Sequence, residues 1–234
     1  MILCKKRNFV FLRIPKTAST SICAHLISHI PKNEIDEFWG NDFLLETNCN
    51  YTYSNYFDKH GSPVIYDHEK MTRLNPHCNK KDMSKILSEE EMNKLNFFVV
   101  IRNPVDRFLS VVNMFIVKDK EILKKNINSE IEFYLKKVET DNLKTKPLWF
   151  DHNSVGEKIF FSPQINWIDE NTNVLAYPHF EKFFESVDVP RNIQHQLRVN
   201  KLSETQRKNV DVSLIQEIER LFKDDVKMWE SVSY

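Results

Sequence analysis

The stretch NFVFLRIPKTASTSICAHL, residues 8–26, decides the fold of this chain. Its first part, NFVFLR (8–13), is a short run of aromatic and β-branched residues, which predicts a buried strand that ends before Pro15. Its last part predicts a helix from Ser19 to Ile30, because apolar residues recur there at helical spacing. Only a lysine and a few small residues separate the two, so a tight turn joins a strand to a helix.

This turn has the residue types of an anion site. Ligands of open α/β sheets bind at the carboxyl ends of the strands, and a helix N-terminus presents backbone N–H groups and a positive dipole end there. Small side chains let an anion approach these N–H groups, and hydroxyl groups add donors. The alternative is a plain helix cap beside a surface lysine. The pattern fits equally well a phosphate or sulfate cradle that consists of Lys16, Thr17, Ala18, Ser19, Thr20 and Ser21.

Composition excludes several classes of protein. The chain has 234 residues, and its 33 basic and 33 acidic side chains give a formal net charge of zero, which argues against a general nucleic-acid binder. Its three glycines are scattered, so neither a Walker A loop nor a glycine-rich dinucleotide fingerprint is possible. The four cysteines lack metal-site spacing. Without a signal peptide or a long apolar run, the sequence predicts a soluble cytoplasmic protein with no membrane partner.

A second segment, VVIRNPVDRFLS (99–110), also places a basic residue at the end of a strand. Arg102 ends the strand that starts at Asn96, and Pro104 suits the first position of the helix that follows. A guanidinium matches a phosphate group well, so Arg102 is a candidate phosphate ligand, although a structural role is an equal alternative. Arg107 is open to interpretation as a surface residue that pairs with Asp106 or Asp119.

The rest of the chain alternates strands with helices. Further strands are predicted at 63–66 and 172–177, and further helices at 88–95, about 129–138, 179–187 and 211–229. This alternation is typical of an α/β fold with a central, mostly parallel sheet flanked by helices. No repeat or linker interrupts it, so we expect one domain over residues 1–234.

The two segments together resemble the signature motifs of sulfotransferases that use 3′-phosphoadenosine 5′-phosphosulfate (PAPS), whose fold is similar to that of P-loop NTPases. IPKTASTS (14–21) is similar to the motif that binds the 5′-phosphosulfate, and VVIRNPVDRFLS (99–110) to the one that binds the 3′-phosphate. The resemblance is strongest to the carbohydrate type, the heparan sulfate and uronyl 2-O-sulfotransferases. SPQINWID (162–169) and the segments after it fit the same pattern. Animal members are usually Golgi proteins, which would apply if this chain is part of a longer one.

The resemblance implies roles for individual residues. Lys16 would contact the sulfuryl group and its bridging oxygen, and the residues from Thr17 to Ser21 would hold the 5′-phosphate. Arg102 and Ser110 would bind the 3′-phosphate, which distinguishes PAPS from ATP. Lys201 would lie in a loop that closes over the nucleotide. PAPS would be the co-substrate, and the reaction would need no metal.

A base must take the proton of the acceptor hydroxyl. The related enzymes place a catalytic histidine after the strand that corresponds to 63–66, in a His-Gly-His context, and only the last position matches here, at His68. Asp67 and Glu69 stay open as alternatives. The expected acceptor is a hydroxylated compound, with a glycan favoured over a small metabolite or a tyrosine. A phosphotransferase and a binding module of the same fold without turnover are the rival interpretations.

Overall fold

The computed structural model describes residues 1–38, 80–84, 87–118, 126–140, 160–191 and 207–233. The chain divides into two compact units, each built from two separate stretches. The first unit consists of Met1–Ile101 and Trp167–Leu197, and the second of Arg102–Asn166 and Arg198–Tyr234. The expectation of one domain over 1–234 stays a prediction. The predicted strand at 63–66 lies outside the described residues.

The first unit contains a five-stranded mixed sheet in the order β3-β1-β2-β4-β5. Strands β2 and β4 are parallel, as are β4 and β5, whereas β1 is antiparallel to both of its neighbours. The predicted α/β fold with parallel strands at its centre is therefore confirmed, with an antiparallel edge. The strands are β1 (Ile2–Cys4), β2 (Phe9–Leu12), β3 (Glu37–Phe38), β4 (Asn96–Ile101) and β5 (Thr172–Ala176).

The α-helices lie where the sequence predicts them, except for the short helix Lys80–Met83, where the sequence predicts none. Two short 3₁₀ helices, Lys32–Glu34 and Gln164–Trp167, occur in addition. The α-helices of the described residues are α1 (Ser19–His29), α2 (Lys80–Met83), α3 (Glu89–Lys94), α4 (Pro104–Lys118), α5 (Ile127–Thr140), α6 (Glu181–Ser186), α7 (Val212–Leu221) and α8 (Lys223–Val232).

The core of the first unit lies between one face of the sheet and helices α1 and α6. Phe11 of β2 and Phe98 of β4 are directed to this face, because alternate residues of a strand share a side. The ring of Phe183 from α6 lies 5.5 Å from that of Phe11 and 4.6 Å from that of Phe98. Ile22 and Leu26 of α1 fill the rest of the cluster. This packing fixes α1 against the strand that precedes it.

The second unit is helical, with a core formed by α4, α5, α7 and the segment around Phe161. Asn103 caps α4: its Oδ1 accepts hydrogen bonds from the N–H groups of Val105 (3.0 Å) and Asp106 (3.2 Å). Pro104 occupies the first helical position, as predicted. In the described part of the chain, no helix is long and apolar enough to cross a membrane.

Candidate functional site

The turn between β2 and α1 holds its backbone in an uncommon conformation. Lys16 and Ala18 both have a φ of 66°, in the left-handed region. This region costs a residue with a Cβ about 1–2 kcal/mol, and such residues cluster at ligand sites where the surroundings enforce them. Left-handed residues in a turn can also aim successive N–H groups into one concavity that binds anions. The backbone therefore has the form expected of an anion cradle, without a glycine in it.

Two hydroxyl groups of the turn are used to hold this shape. Thr17 Oγ1 and Ser19 Oγ each donate a hydrogen bond of 3.0 Å to the carbonyl oxygen of Ile14, and both side chains are buried. The sequence predicts that they donate to an anion. In this structure their protons stay within the turn, so any donor that these two residues offer to a ligand comes from the backbone.

Helix α1 begins directly at the turn. Its N-cap residue is Ala18, and no side chain of the described residues caps it. The first bond of the helix runs from the Ile22 N–H group to the Ala18 carbonyl oxygen, at 3.1 Å. The N-terminal N–H groups of a helix, with the positive end of its dipole, favour an anion at this position.

Arg13 lies beside this helix end, although the sequence pattern indicates only a strand residue there. Its side chain is buried, and its Nη2 donates a hydrogen bond of 3.2 Å to Thr20 Oγ1 in the first turn of α1. A guanidinium is a permanent charge. The first helical turn of α1 therefore contacts the Arg13 cation, and the loop before it contains a second cation, Lys16. The available signal was an arginine at the carboxyl end of an otherwise apolar strand.

Arg102 is the first residue after β4 and is half-buried. Its backbone is bonded at both groups to one side chain: the Arg102 N–H donates to Gln164 Oε1 (2.9 Å), and Gln164 Nε2 donates to the Arg102 carbonyl oxygen (2.8 Å). Ser110 is buried on α4. Arg102 and Ser110 belong to the second unit and Lys16 to the first, so their joint grip on one nucleotide stays a prediction.

Arg107 is buried, so its interpretation as a surface residue is wrong. Its Nη2 donates a hydrogen bond of 2.9 Å to the Phe160 carbonyl oxygen. Burial lowers the pKa of Arg107 to about 10, while the charge of Asp225 acts in the opposite direction. Burial also raises the pKa of Asp225, and Arg107 opposes that shift. These two charges therefore stabilise one another inside the second unit.

The remaining predicted site residues lie outside the described residues. These are the base candidate His68, its alternatives Asp67 and Glu69, and Lys201 of the predicted closing loop. Their roles stay predictions. Among the residues that the structure does describe, no group of three or more histidine, cysteine, aspartate or glutamate side chains could hold a metal ion.

The parallel strands define an α/β protein, and the turn before α1 holds two left-handed residues next to a helix N-terminus. A model of the sulfotransferase family matches residues 1–151 of the chain. The chain therefore belongs to the sulfotransferase family, and this membership supports sulfuryl transfer as its general activity. The matched range includes the cradle, Arg102 and Ser110. No curated protein and no solved structure matches the chain.

Proposed function

We propose that this protein transfers a sulfuryl group from PAPS to a hydroxyl group of an acceptor, by direct in-line displacement. In this proposal Lys16 and the N-terminus of α1 bind the 5′-phosphosulfate, and Arg102 and Ser110 bind the 3′-phosphate. His68 is the base. Lys201 closes over the nucleotide.

The proposed step needs no reactant besides PAPS and the acceptor. The acceptor oxygen forms a bond to sulfur as the bond between sulfur and the 5′-phosphate oxygen breaks. The acceptor proton passes to His68, and the products are a sulfate ester and 3′,5′-adenosine bisphosphate. Negative charge develops on the leaving phosphate, where Lys16 and the backbone N–H groups stabilise it most in the transition state. The proposed transfer therefore requires no covalent intermediate.

The single observation that supports the proposal best is the turn before α1. It combines two left-handed residues, an uncapped helix end and Lys16, in a segment that the family model matches. The N-cap residue Ala18 makes no side-chain cap hydrogen bond, which supports an anion site over the alternative, a helix cap with a surface lysine. An anion is the ligand that these groups complement.

We propose a carbohydrate as the acceptor class. The resemblance to the uronyl and heparan sulfate enzymes supports this, as do the aromatic residues and lysines in the segments 32–60 and 118–160. Aromatic faces suit sugar rings, and lysines suit an acidic polysaccharide. A panel of glycans, phenols and small alcohols offered with labelled PAPS tests the class directly. Transfer to phenols alone would overturn it.

Binding of the donor is tested by thermal shift with three nucleotides. We expect 3′,5′-adenosine bisphosphate to raise the melting temperature, with a smaller shift from AMP, which lacks the 3′-phosphate. Arg102→Ala should remove this difference, because the 3′-phosphate loses its charged partner. A preference for ATP with magnesium would contradict the proposal and favour a phosphotransferase.

Turnover is tested on Lys16→Ala with labelled PAPS and a competent acceptor. Loss of a group that stabilises the leaving phosphate should lower the rate by about 10²–10³-fold. His68→Ala should also lower it, with a weaker dependence of the rate on pH. Lys182→Ala is a matched control, because Lys182 is an exposed lysine of α6. A Lys16→Ala rate equal to that of the control would remove Lys16 from the mechanism.

A further inference from the structure

The side chain of Gln164 holds both backbone groups of Arg102. Oε1 of Gln164 accepts from the Arg102 N–H group at 2.9 Å, and Nε2 donates to the Arg102 carbonyl oxygen at 2.8 Å. Gln164 is buried, with 1% of its surface exposed. Because one amide is bonded to both peptide groups of a single residue, the orientation of those groups is fixed, and with it the direction of the Arg102 Cα–Cβ bond.

Arg102 needs such a partner because the strand stops just before it. The pairing of β4 with β5 ends at Ile101 and Ala176, so Arg102 is outside the ladder of the sheet. A primary amide has the donor and acceptor of a peptide group, and Gln164 supplies the two bonds that a neighbouring strand would have made. Leucine provides neither bond, and an ionised glutamate accepts from the N–H group but cannot donate to the carbonyl oxygen.

Gln164 is itself anchored by Asp225 of α8. Oδ2 of Asp225 accepts from the Gln164 N–H group at 2.8 Å, and Oδ1 accepts from the Ile165 N–H group at 2.9 Å. Asp225 is buried, with 1% of its surface exposed. This carboxylate caps the 3₁₀ helix that starts at Gln164. A connected set of hydrogen bonds therefore leads from α8, through Gln164, to the backbone of Arg102.

We propose that Gln164 is a positioning residue for nucleotide binding, which aims Arg102 at the 3′-phosphate of the donor. This inference rests on the proposed function, because it assigns to Arg102 the role of 3′-phosphate ligand. Gln164 acts through the backbone of Arg102 and does not touch the nucleotide. It therefore contributes to selection of a 3′-phosphorylated nucleotide over one without that group, and not to nucleotide affinity in general.

The test is the dissociation constant for 3′,5′-adenosine bisphosphate and for AMP, measured by calorimetry on the full chain. Gln164→Leu should weaken binding of the bisphosphate about tenfold, the effect of losing roughly one hydrogen bond, and leave AMP binding unchanged. In an Arg102→Ala background, Gln164→Leu should have no further effect on the bisphosphate, because the side chain that it aims is gone. Gln164→Glu should lose part of the selectivity, since it keeps only the acceptor.

Asn166→Leu is the matched control. Its Nδ2 donates to Ser162 Oγ at 2.8 Å in the same segment, so this variant removes a local hydrogen bond that does not involve Arg102. We expect it to keep the nucleotide preference of the wild-type protein. If Gln164→Leu fails to fold, the partial loss of selectivity expected of Gln164→Glu tests the same role.

The outcomes separate this inference from the proposed function. If the wild-type protein does not prefer the bisphosphate over AMP, the proposed function fails first. If it does, and Arg102→Ala removes the preference while both Gln164 variants retain it, the function stands and the positioning role is overturned. Equal weakening of both nucleotides in Gln164→Leu also overturns the role, because it indicates general damage to the unit.

Discussion

Two residues with a Cβ, Lys16 and Ala18, adopt a left-handed backbone on either side of Thr17. In the proposed site, the side chain of Lys16 has a chemical role, whereas Ala18 contributes its backbone. Glycine would adopt the same backbone conformation without a steric penalty. A substitution at Ala18 therefore tests the energetic cost of the turn conformation without removing a side chain that the proposed chemistry uses.

We predict that Ala18→Gly raises the free energy of unfolding by about 0.5–1 kcal/mol, because relief of the left-handed strain exceeds the entropy that glycine adds to the unfolded chain. The same substitution at Ala24, which is buried within α1, should lower it by about 1 kcal/mol or more. Urea denaturation of both variants measures the two signs. A loss of stability in Ala18→Gly that equals the loss in Ala24→Gly would show that no strain is stored in the turn.

Residue types at the cradle could be predicted from the sequence, but their hydrogen bonds could not. The positions of Lys16 and the small residues follow from a strand that turns into a helix. Whether Thr17 and Ser19 donate to a ligand or to the Ile14 carbonyl oxygen depends on the path of the turn, which residue type does not determine. The burial of Arg13 and Arg107 could not be predicted for a related reason: a long polar side chain can be buried where an acceptor oxygen is available, which is Thr20 Oγ1 for Arg13 and the Phe160 carbonyl oxygen for Arg107.

At the scale of elements, the side chain of Glu91 links α3 to Lys5, which follows β1. Glu91 completes a capping box with Ser88, whose N–H group donates to the Glu91 carboxylate at 2.9 Å. Lys5, just after β1, donates to the same carboxylate at 2.8 Å. The hydrogen bond from Lys5, followed by those from Ser88, lowers the pKa of Glu91 to about 2 from an ordinary value of 4.5.

A lowered carboxylate pKa stabilises the fold above the ordinary value, and this stability is lost as the pH falls toward the folded-state value. We predict that Glu91→Gln lowers the melting temperature at neutral pH and that its difference from wild type shrinks between about pH 4.5 and pH 2. The effect is small, because the pair is exposed to solvent. Lys5→Met should give a similar loss, and the double variant little more than either. A difference that stays constant with pH would contradict this account.

Elements with strong local signals could be predicted from the sequence. The capping box at Ser88 and the proline at the start of α4 both indicate a helix start through local chemistry alone, and both are confirmed. Strand β1 could not be found in this way, since it has only three residues. It forms because the turn after it, with Asn8 at a φ of 54°, lets it pair with β2. The stability of β1 therefore comes from its pairing with β2 and not from a pattern in its own sequence.

At the scale of the whole molecule, the parallel direction of β2, β4 and β5 follows from the alternation of strands and helices, and this part of the fold was predictable. The division of the chain was not. The first unit combines Met1–Ile101 with Trp167–Leu197, and the second combines Arg102–Asn166 with Arg198–Tyr234. Which distant segments of the chain pack together depends on which of their apolar surfaces are complementary, and short-range periodicity carries no information about this.

We predict that the two units unfold in a single transition, as the expectation of one domain requires. Neither unit is a continuous segment, so unfolding of one releases the chain ends that close the other. Trp167 reports on the first unit and Trp229 on the second. In variants that retain only one of these two tryptophans, with the others changed to phenylalanine, fluorescence should give the same urea midpoint, and circular dichroism should agree with both. The Gln164→Leu substitution, which lies in the second unit, is a further test: in a cooperative protein it should shift the midpoints reported by Trp167 and Trp229 by the same amount. Two separate midpoints would contradict the prediction and show that the units are independent domains.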